Sequence, residues 1–190
     1  MKLGTKDVIV EYLEDIKKID VVQELPLMTW PFCLSTELWE KYENRKIEID
    51  LQQLKKIKYF SNYEDTLSDE VNELPNDKGG IYIYIIENSI IPSAGAYIMY
   101  IGRARKTQNE NLRKRAKSHY QQYLRHEENE RLERLFDNWK NYVYLMYMPI
   151  EGNDEIDLAE DELILALTPP CNKKYPSPQI RRKLRAFSYA

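Results

Sequence analysis

Three side chains stand at helical positions where apolar residues are expected. In the segment 109 to 124, Arg115 and His119 share a helical face with Leu112, Ala116 and Tyr123, while Arg113, Lys114 and Lys117 point elsewhere. In the segment 155 to 167, Glu160 lies in the stripe of Leu163, Ile164 and Leu167. Each type brings its own chemistry. A guanidinium grips phosphate through a planar fork, an imidazole moves protons near neutral pH, and a carboxylate set against a core needs a metal or an arginine. The plain alternatives are a snorkelling arginine, a satisfied core histidine and a structural salt bridge. Tyr82 and Tyr100 stand apart from the other tyrosines because each occupies a strand close to a glycine, where a phosphate can approach.

Charge along the chain points the same way. The net charge is -3, yet residues 103 to 125 carry eight basic side chains against the single acid Glu110, and residues 173 to 190 carry six with no acid. Such segregation predicts a surface for a polyanion on an otherwise acidic body, with Arg105, Lys106, Arg113, Lys114, Lys117, Lys173, Lys174, Arg181 and Arg182 in the footprint. Two solvated helix faces are the bland reading of the same charges.

The elements that must position these groups follow from periodicity. IYIYII (81 to 86) and AYIMYI (96 to 101) predict two strands of a hairpin, and YVYLMYM (142 to 148) predicts a third. A helix is expected after Thr107 and Glu110, which have the form of a capping box, and another over 127 to 140. The last helix, 155 to 167, should stop at Pro169 and Pro170. The expected fold is therefore α+β, a small three-stranded antiparallel sheet flanked by helices. Residues 1 to 78 read as an acidic, mainly helical N-terminal region ahead of a domain from 79 to 190. In that region helices are expected around Val8 to Ile19 and over 47 to 60, and Trp30, Phe32 and Trp39 are expected in a core.

Two cysteines, Cys33 and Cys171, and two histidines, His119 and His126, are too few for a disulfide framework or a structural zinc site. The opening segment is amphipathic and acidic, and no run approaches the ~18 apolar residues of a membrane span. A soluble, cytoplasmic protein without a membrane partner is the expectation.

Gly80-Ile81-Tyr82 and Tyr100-Ile101-Gly102 resemble the paired motifs of the GIY-YIG nuclease superfamily. Arg103-Ala104-Arg105 and Leu112-Arg113-Lys114-Arg115 follow in the order of that family's helix, and Ala159-Glu160, Pro169-Pro170 and Asn172 resemble its metal-binding segment. The resemblance covers about residues 79 to 172 and is an ordered set rather than one short match. It implies the family fold and a catalytic set of Tyr82, Tyr100, Arg103, Arg115, His119, Glu160 and Asn172. Within that set Glu160 would hold Mg²⁺ or Mn²⁺, Arg115 the scissile phosphate, and Asn172 would support the site. Tyr82 or Tyr100 would be the general base, Tyr82 first, its acidity raised by Arg103, Arg115 and the metal. A single metal is expected because Glu160 is the one acid read as facing inward.

A divalent-metal-dependent DNA endonuclease is the function expected on this basis, acting in restriction, antiviral defence or mobile-element cutting. His119, one turn after Arg115, resembles the family's restriction enzymes. A structure-specific repair nuclease and a catalytically silent nucleic-acid-binding module are the alternatives. The N-terminal region is read as a contact for a second protomer or a companion subunit.

Overall fold

The pattern Ile-Tyr-Ile-Tyr-Ile-Ile sorts two chemistries onto the two faces of one strand, because side chains alternate along extended backbone. In the computed structural model that strand, β2 (Gly80–Glu87), is buried almost throughout and central to a four-stranded antiparallel sheet. The model describes residues 30, 32–43, 51–61, 66–90, 94–178 and 181–182. Besides β2 the sheet contains β1 (Lys55–Lys58), β3 (Ala96–Ala104) and β4 (Val143–Pro149), in the spatial order β1-β4-β2-β3. Among the described residues four α-helices accompany it: α1 (Thr36–Glu43), α2 (Leu112–Leu124), α3 (Glu130–Trp139) and α4 (Asn153–Leu167). One compact unit spans Pro31–Ala190.

Ile81, Ile83 and Ile85 pack with Ala159, Leu163 and Ile164 of α4. On the opposite face Tyr84 meets Tyr59 and Phe136 at ring-centroid distances of 4.8 and 5.3 Å. Tyr59 donates its hydroxyl proton to the Ala116 carbonyl at 2.8 Å, which ties α2 to this aromatic layer. Helices therefore cover both faces of β2, and its apolar run is continuous.

The α+β class and the hairpin of β2 with β3 agree with the expectation, whereas the strand count rises from three to four. The additional strand is Lys55–Lys58, within the stretch expected as a helix over 47 to 60. Only Ile57 of its four residues is buried, so the lysines lie on an edge strand that the sequence presents as a polar helical face. The sheet thus recruits residues from before position 78. Phe32 and Trp39 are exposed rather than core, and α1 buries none of its residues. Phe32 instead lies against Tyr97 of β3 at 5.9 Å between ring centroids. The helix expected around Val8 to Ile19 lies outside the described residues.

The start of α2 also differs from expectation. Thr107 Oγ1 accepts from the Glu110 backbone N–H at 3.0 Å within a local turn, and Asn111 is the true cap, its Oδ1 accepting from Lys114 N at 2.8 Å. Two glycines have steric reasons. Gly80 adopts φ 155°, and a Cβ there would lie 2.1 Å from the Met148 carbonyl oxygen. Gly102 faces Tyr82 across the β2–β3 pair, and a Cβ there would lie 2.5 Å from both Cζ and the hydroxyl of Tyr82. Glycine at 102 is what lets the Tyr82 ring cross β3.

The outer edge of β3 is closed by a side chain. Asn172 accepts from Ile101 N at 2.9 Å and donates to Ile101 O at 2.8 Å, imitating one residue of a neighbouring strand, while Cys171 N donates to Met99 O at 2.8 Å. Both Asn172 and Ile101 are buried. Asn172→Ala should therefore orphan two buried backbone groups and lower stability by about 3 kcal/mol, read as a lower urea midpoint with an unchanged slope.

Candidate active site

The edge of the sheet at β3 opens into a cleft of about 880 Å³ that gathers residues from across the domain. Tyr82 of β2, Tyr100 and Arg103 of β3, Arg115 of α2, Glu160 of α4 and Asn172 all line it. Arg105, Lys173, Lys174 and Arg181 line its rim. Lys106, Lys114, Lys117 and Arg182 are exposed but outside the lining, and Arg113 is half-buried with its Nε donating to the Leu74 carbonyl at 2.7 Å. Lys183 and Arg185 of the basic tail lie outside the described residues.

Tyr82 is the hub. Its hydroxyl lies 2.7 Å from His119 Nε2 and accepts from Arg115 Nε at 3.2 Å. His119 is 1% exposed, beneath the cleft rather than in its lining. The face shared by Arg115 and His119 does turn inward, as their spacing predicts. Tyr100 stands beside Tyr82, with ring centroids 6.2 Å apart.

Across the cleft, Arg103 bridges α4. Its Nε contacts Asp157 Oδ1 at 2.8 Å and its Nη1 contacts Glu160 Oε2, while Arg105 Nε donates to Asp157 Oδ1 at 3.0 Å. Asp157 is a residue that the sequence reading missed, although it lies one turn before Glu160 on the same side of the helix. Glu128 was missed as well: its Oε2 lies 2.5 Å from His119 Nδ1. Glu162, off the stripe of Glu160, Leu163, Ile164 and Leu167, is buried at 9% exposure. The apolar stripe of α4 is thus wider than its wheel suggests.

Burial dominates the electrostatics. Loss of water pushes the Tyr82 phenol well above its ordinary value, and the neighbouring Arg115 offsets this only in part. Tyr100 rises for the same reason. Of the three groups expected to make a phenol acidic, Arg103, Arg115 and the metal, Arg115 acts in that direction but does not by itself outweigh burial. Burial also raises the Glu160 carboxyl, against the lowering effect of Arg103. An Arg105 hydrogen bond lowers Asp157.

Burial lowers His119 below its ordinary 6.5, outweighing Glu128, which acts to raise it. His119 is then neutral in the folded protein at neutral pH. A depressed value in the folded state means that stability is complete above the ordinary value and is lost as pH falls through the folded one. Thermal melts between about pH 7 and 5 should show wild type losing stability more steeply than His119→Gln.

The donor set can be tested against a divalent cation. Among the described residues no group of three or more His, Cys, Asp or Glu side chains is poised to hold a metal. Glu160 nevertheless presents a hard carboxylate at an open cleft, with its side chain 15% exposed. One carboxylate with water and substrate oxygens suits Mg²⁺ or Mn²⁺. The count of acids no longer argues for one metal, because Glu110, Glu127, Glu128 and Asp161 also line the cleft.

Comparison with protein-family models, with curated proteins and with solved structures gave no match. Among the described residues no helix is long and apolar enough to cross a membrane.

Proposed function

We propose that the cleft is the active site of a divalent-metal-dependent DNA endonuclease of the GIY-YIG type. The observation that carries this reading is convergence: Tyr82, Tyr100, Arg115, Glu160 and Asn172, from five separate stretches of sequence, meet at one open cleft with a basic rim. An isolated salt bridge or a snorkelling arginine would not require the others to be there.

Phosphodiester hydrolysis needs a held phosphate, an activated water and relief of charge on the departing oxygen. Arg115 binds the scissile phosphate through the guanidinium edge that Tyr82 leaves free. With burial holding its proton, Tyr82 works by transfer. Its oxygen takes a proton from water while its own proton passes to His119 Nε2 along the 2.7 Å contact. Water oxygen bonds to phosphorus, and the broken P–O bond leaves its electron pair on the departing oxygen, which takes a proton from bulk water. His119 afterwards returns its proton through Tyr82 to solvent. Glu160 would hold Mg²⁺ or Mn²⁺, which when bound supplies neutralisation of phosphoryl and departing-oxygen charge. Asn172 keeps Tyr100 in place through the Ile101 backbone.

The rim of Arg105, Lys173, Lys174 and Arg181 binds the backbone without reading base edges. Affinity for a labelled duplex should fall by about 10³-fold or more between ~50 and ~200 mM salt, and a flat response would remove this footprint. The Arg103–Glu160 pair favours a second reading, a binding module without turnover, since it already satisfies the carboxylate. Mg²⁺-dependent release of fragments from the same duplex separates the two. Restriction or another defence against foreign DNA is the setting to which His119 inclines this proposal, with mobile-element cutting and repair of branched DNA as other uses of the same chemistry.

A further inference from the structure

Glu128 lies in neither sequence motif, yet it makes the closest contact to His119. Helix α2 ends in a left-handed turn: His126 has φ 55°, His126 N donates to Tyr123 O at 3.0 Å and Glu127 N to Gln122 O at 2.9 Å. This reversal carries the chain back under the helix and delivers Glu128 to the buried ring. The Glu128 side chain is 4% exposed, and both its oxygens are engaged. Oε2 faces His119 Nδ1 at 2.5 Å, and Oε1 accepts from Asn129 N at 2.7 Å, immediately before α3.

A carboxylate oxygen only accepts, so the proton of neutral His119 must sit on Nδ1. Nε2 then carries the lone pair, and the Tyr82 hydroxyl must donate to it. Arg115 Nε donates to the same hydroxyl oxygen from the other side, which fixes the direction of the chain. We propose that Glu128 is a positioning residue that locks His119 as the Nδ1–H tautomer and stabilises the imidazolium formed when Nε2 receives the Tyr82 proton. Its consequence for rate rests on the nuclease reading above, whereas the tautomer does not. The same logic operates where an aspartate orients the histidine of a serine hydrolase.

The groups around the His119 ring are Arg115 on its own helix, Glu128 from the loop, Tyr82 and Tyr84 of β2 and Tyr100 of β3. Of these, Glu128 is the acid. Removing its charge should lower the His119 titration, and the acid limb of the pH–rate profile should move to lower pH with it.

The chain holds only two histidines, so nitrogen NMR of the ¹⁵N-labelled full chain assigns His119 by comparison with His126→Gln. Wild type should show a neutral His119 protonated on Nδ1. Glu128→Gln, checked for folding by its melting curve, should lower the His119 titration midpoint. It should also slow Mg²⁺-dependent plasmid cleavage by about 10²-fold at saturating DNA, with KM within a few-fold, and Glu128→Asp should recover part of the rate. Protonation of wild-type His119 on Nε2 overturns the proposal, a test that needs no variant to fold. An unchanged cleavage rate in Glu128→Gln overturns it too, even where the titration moves. A wild type that shows the Nδ1–H tautomer yet cuts no DNA brings down the nuclease reading and leaves the tautomer standing.

Discussion

Glu160→Ala is expected to lose Mg²⁺-dependent DNA cleavage by at least about 10³-fold while still binding duplex DNA as tightly as wild type, or more tightly. The two effects separate because Glu160 has two partners of different kinds. Towards substrate, in the proposed reading, it is the hard oxygen that would hold Mg²⁺ at the cleft, and the basic residues of the rim supply no such ligand. Towards the protein it neutralises Arg103. Removing it leaves the Arg103 guanidinium, which lines the cleft, paired with Asp157 alone, so the potential felt by a phosphate becomes more positive. The fold should survive, since alanine suits a helix and the neighbours Ala159, Leu163 and Ile164 already form the core contact. Cleavage kinetics beside filter binding at fixed salt checks both halves. Retained cleavage would identify the Arg103–Glu160 pair as a purely structural bridge.

Tyr82→Phe should produce the second large loss, about 10²- to 10⁴-fold in cleavage rate, the range that a positioned proton-transfer group supplies. The substitution removes one oxygen and leaves the ring that crosses Gly102 in place. It also leaves His119 Nε2 and Arg115 Nε without the partner they share, a cost of about 1 to 3 kcal/mol in stability. The variant is thus slow and somewhat less stable, and a melting curve with single-turnover rates distinguishes the contributions. Tyr100→Phe is the comparison. Its hydroxyl contacts that of Tyr82 but reaches no base, so its loss should be smaller. An inverted order of the two variants would move the general base to Tyr100. With Tyr82 raised by burial, the rate should not wait for pH near 10; it should rise with the deprotonation of His119 below neutrality.

How far the sequence spoke for the structure differs residue by residue. The strands β2, β3 and β4 were legible because aromatic and β-branched runs that fill both faces leave no helical option. Arg115 and His119 were legible because a helix wheel places them among apolar neighbours, and the structure turns that face toward Tyr82. Glu160 was legible for the same reason, although the burial of Glu162 was not, since α4 is buried over more than one stripe. The strand Lys55–Lys58 was not legible: three lysines and one isoleucine carry no alternation that a short edge strand must show. The cap at Asn111 lost to Thr107 in the sequence because a capping box describes spacing alone, whereas the Thr107 turn spends that hydrogen bond locally. Glu128 could not be found at all from a local pattern. It reaches His119 through a left-handed residue, His126, whose conformation no side-chain periodicity records. The raised phenols were also hidden, because counting nearby arginines gives the sign of the charge but not the depth of burial that outweighs it.

The most direct measurement is incubation of the full chain with supercoiled plasmid at low salt, with Mg²⁺ and with EDTA, beside Glu160→Ala. The expected result is conversion to relaxed or linear DNA by wild type with Mg²⁺ alone, and none by the variant. Plasmid left supercoiled by a folded wild type that binds it in Mg²⁺ would contradict a hydrolytic role for the cleft.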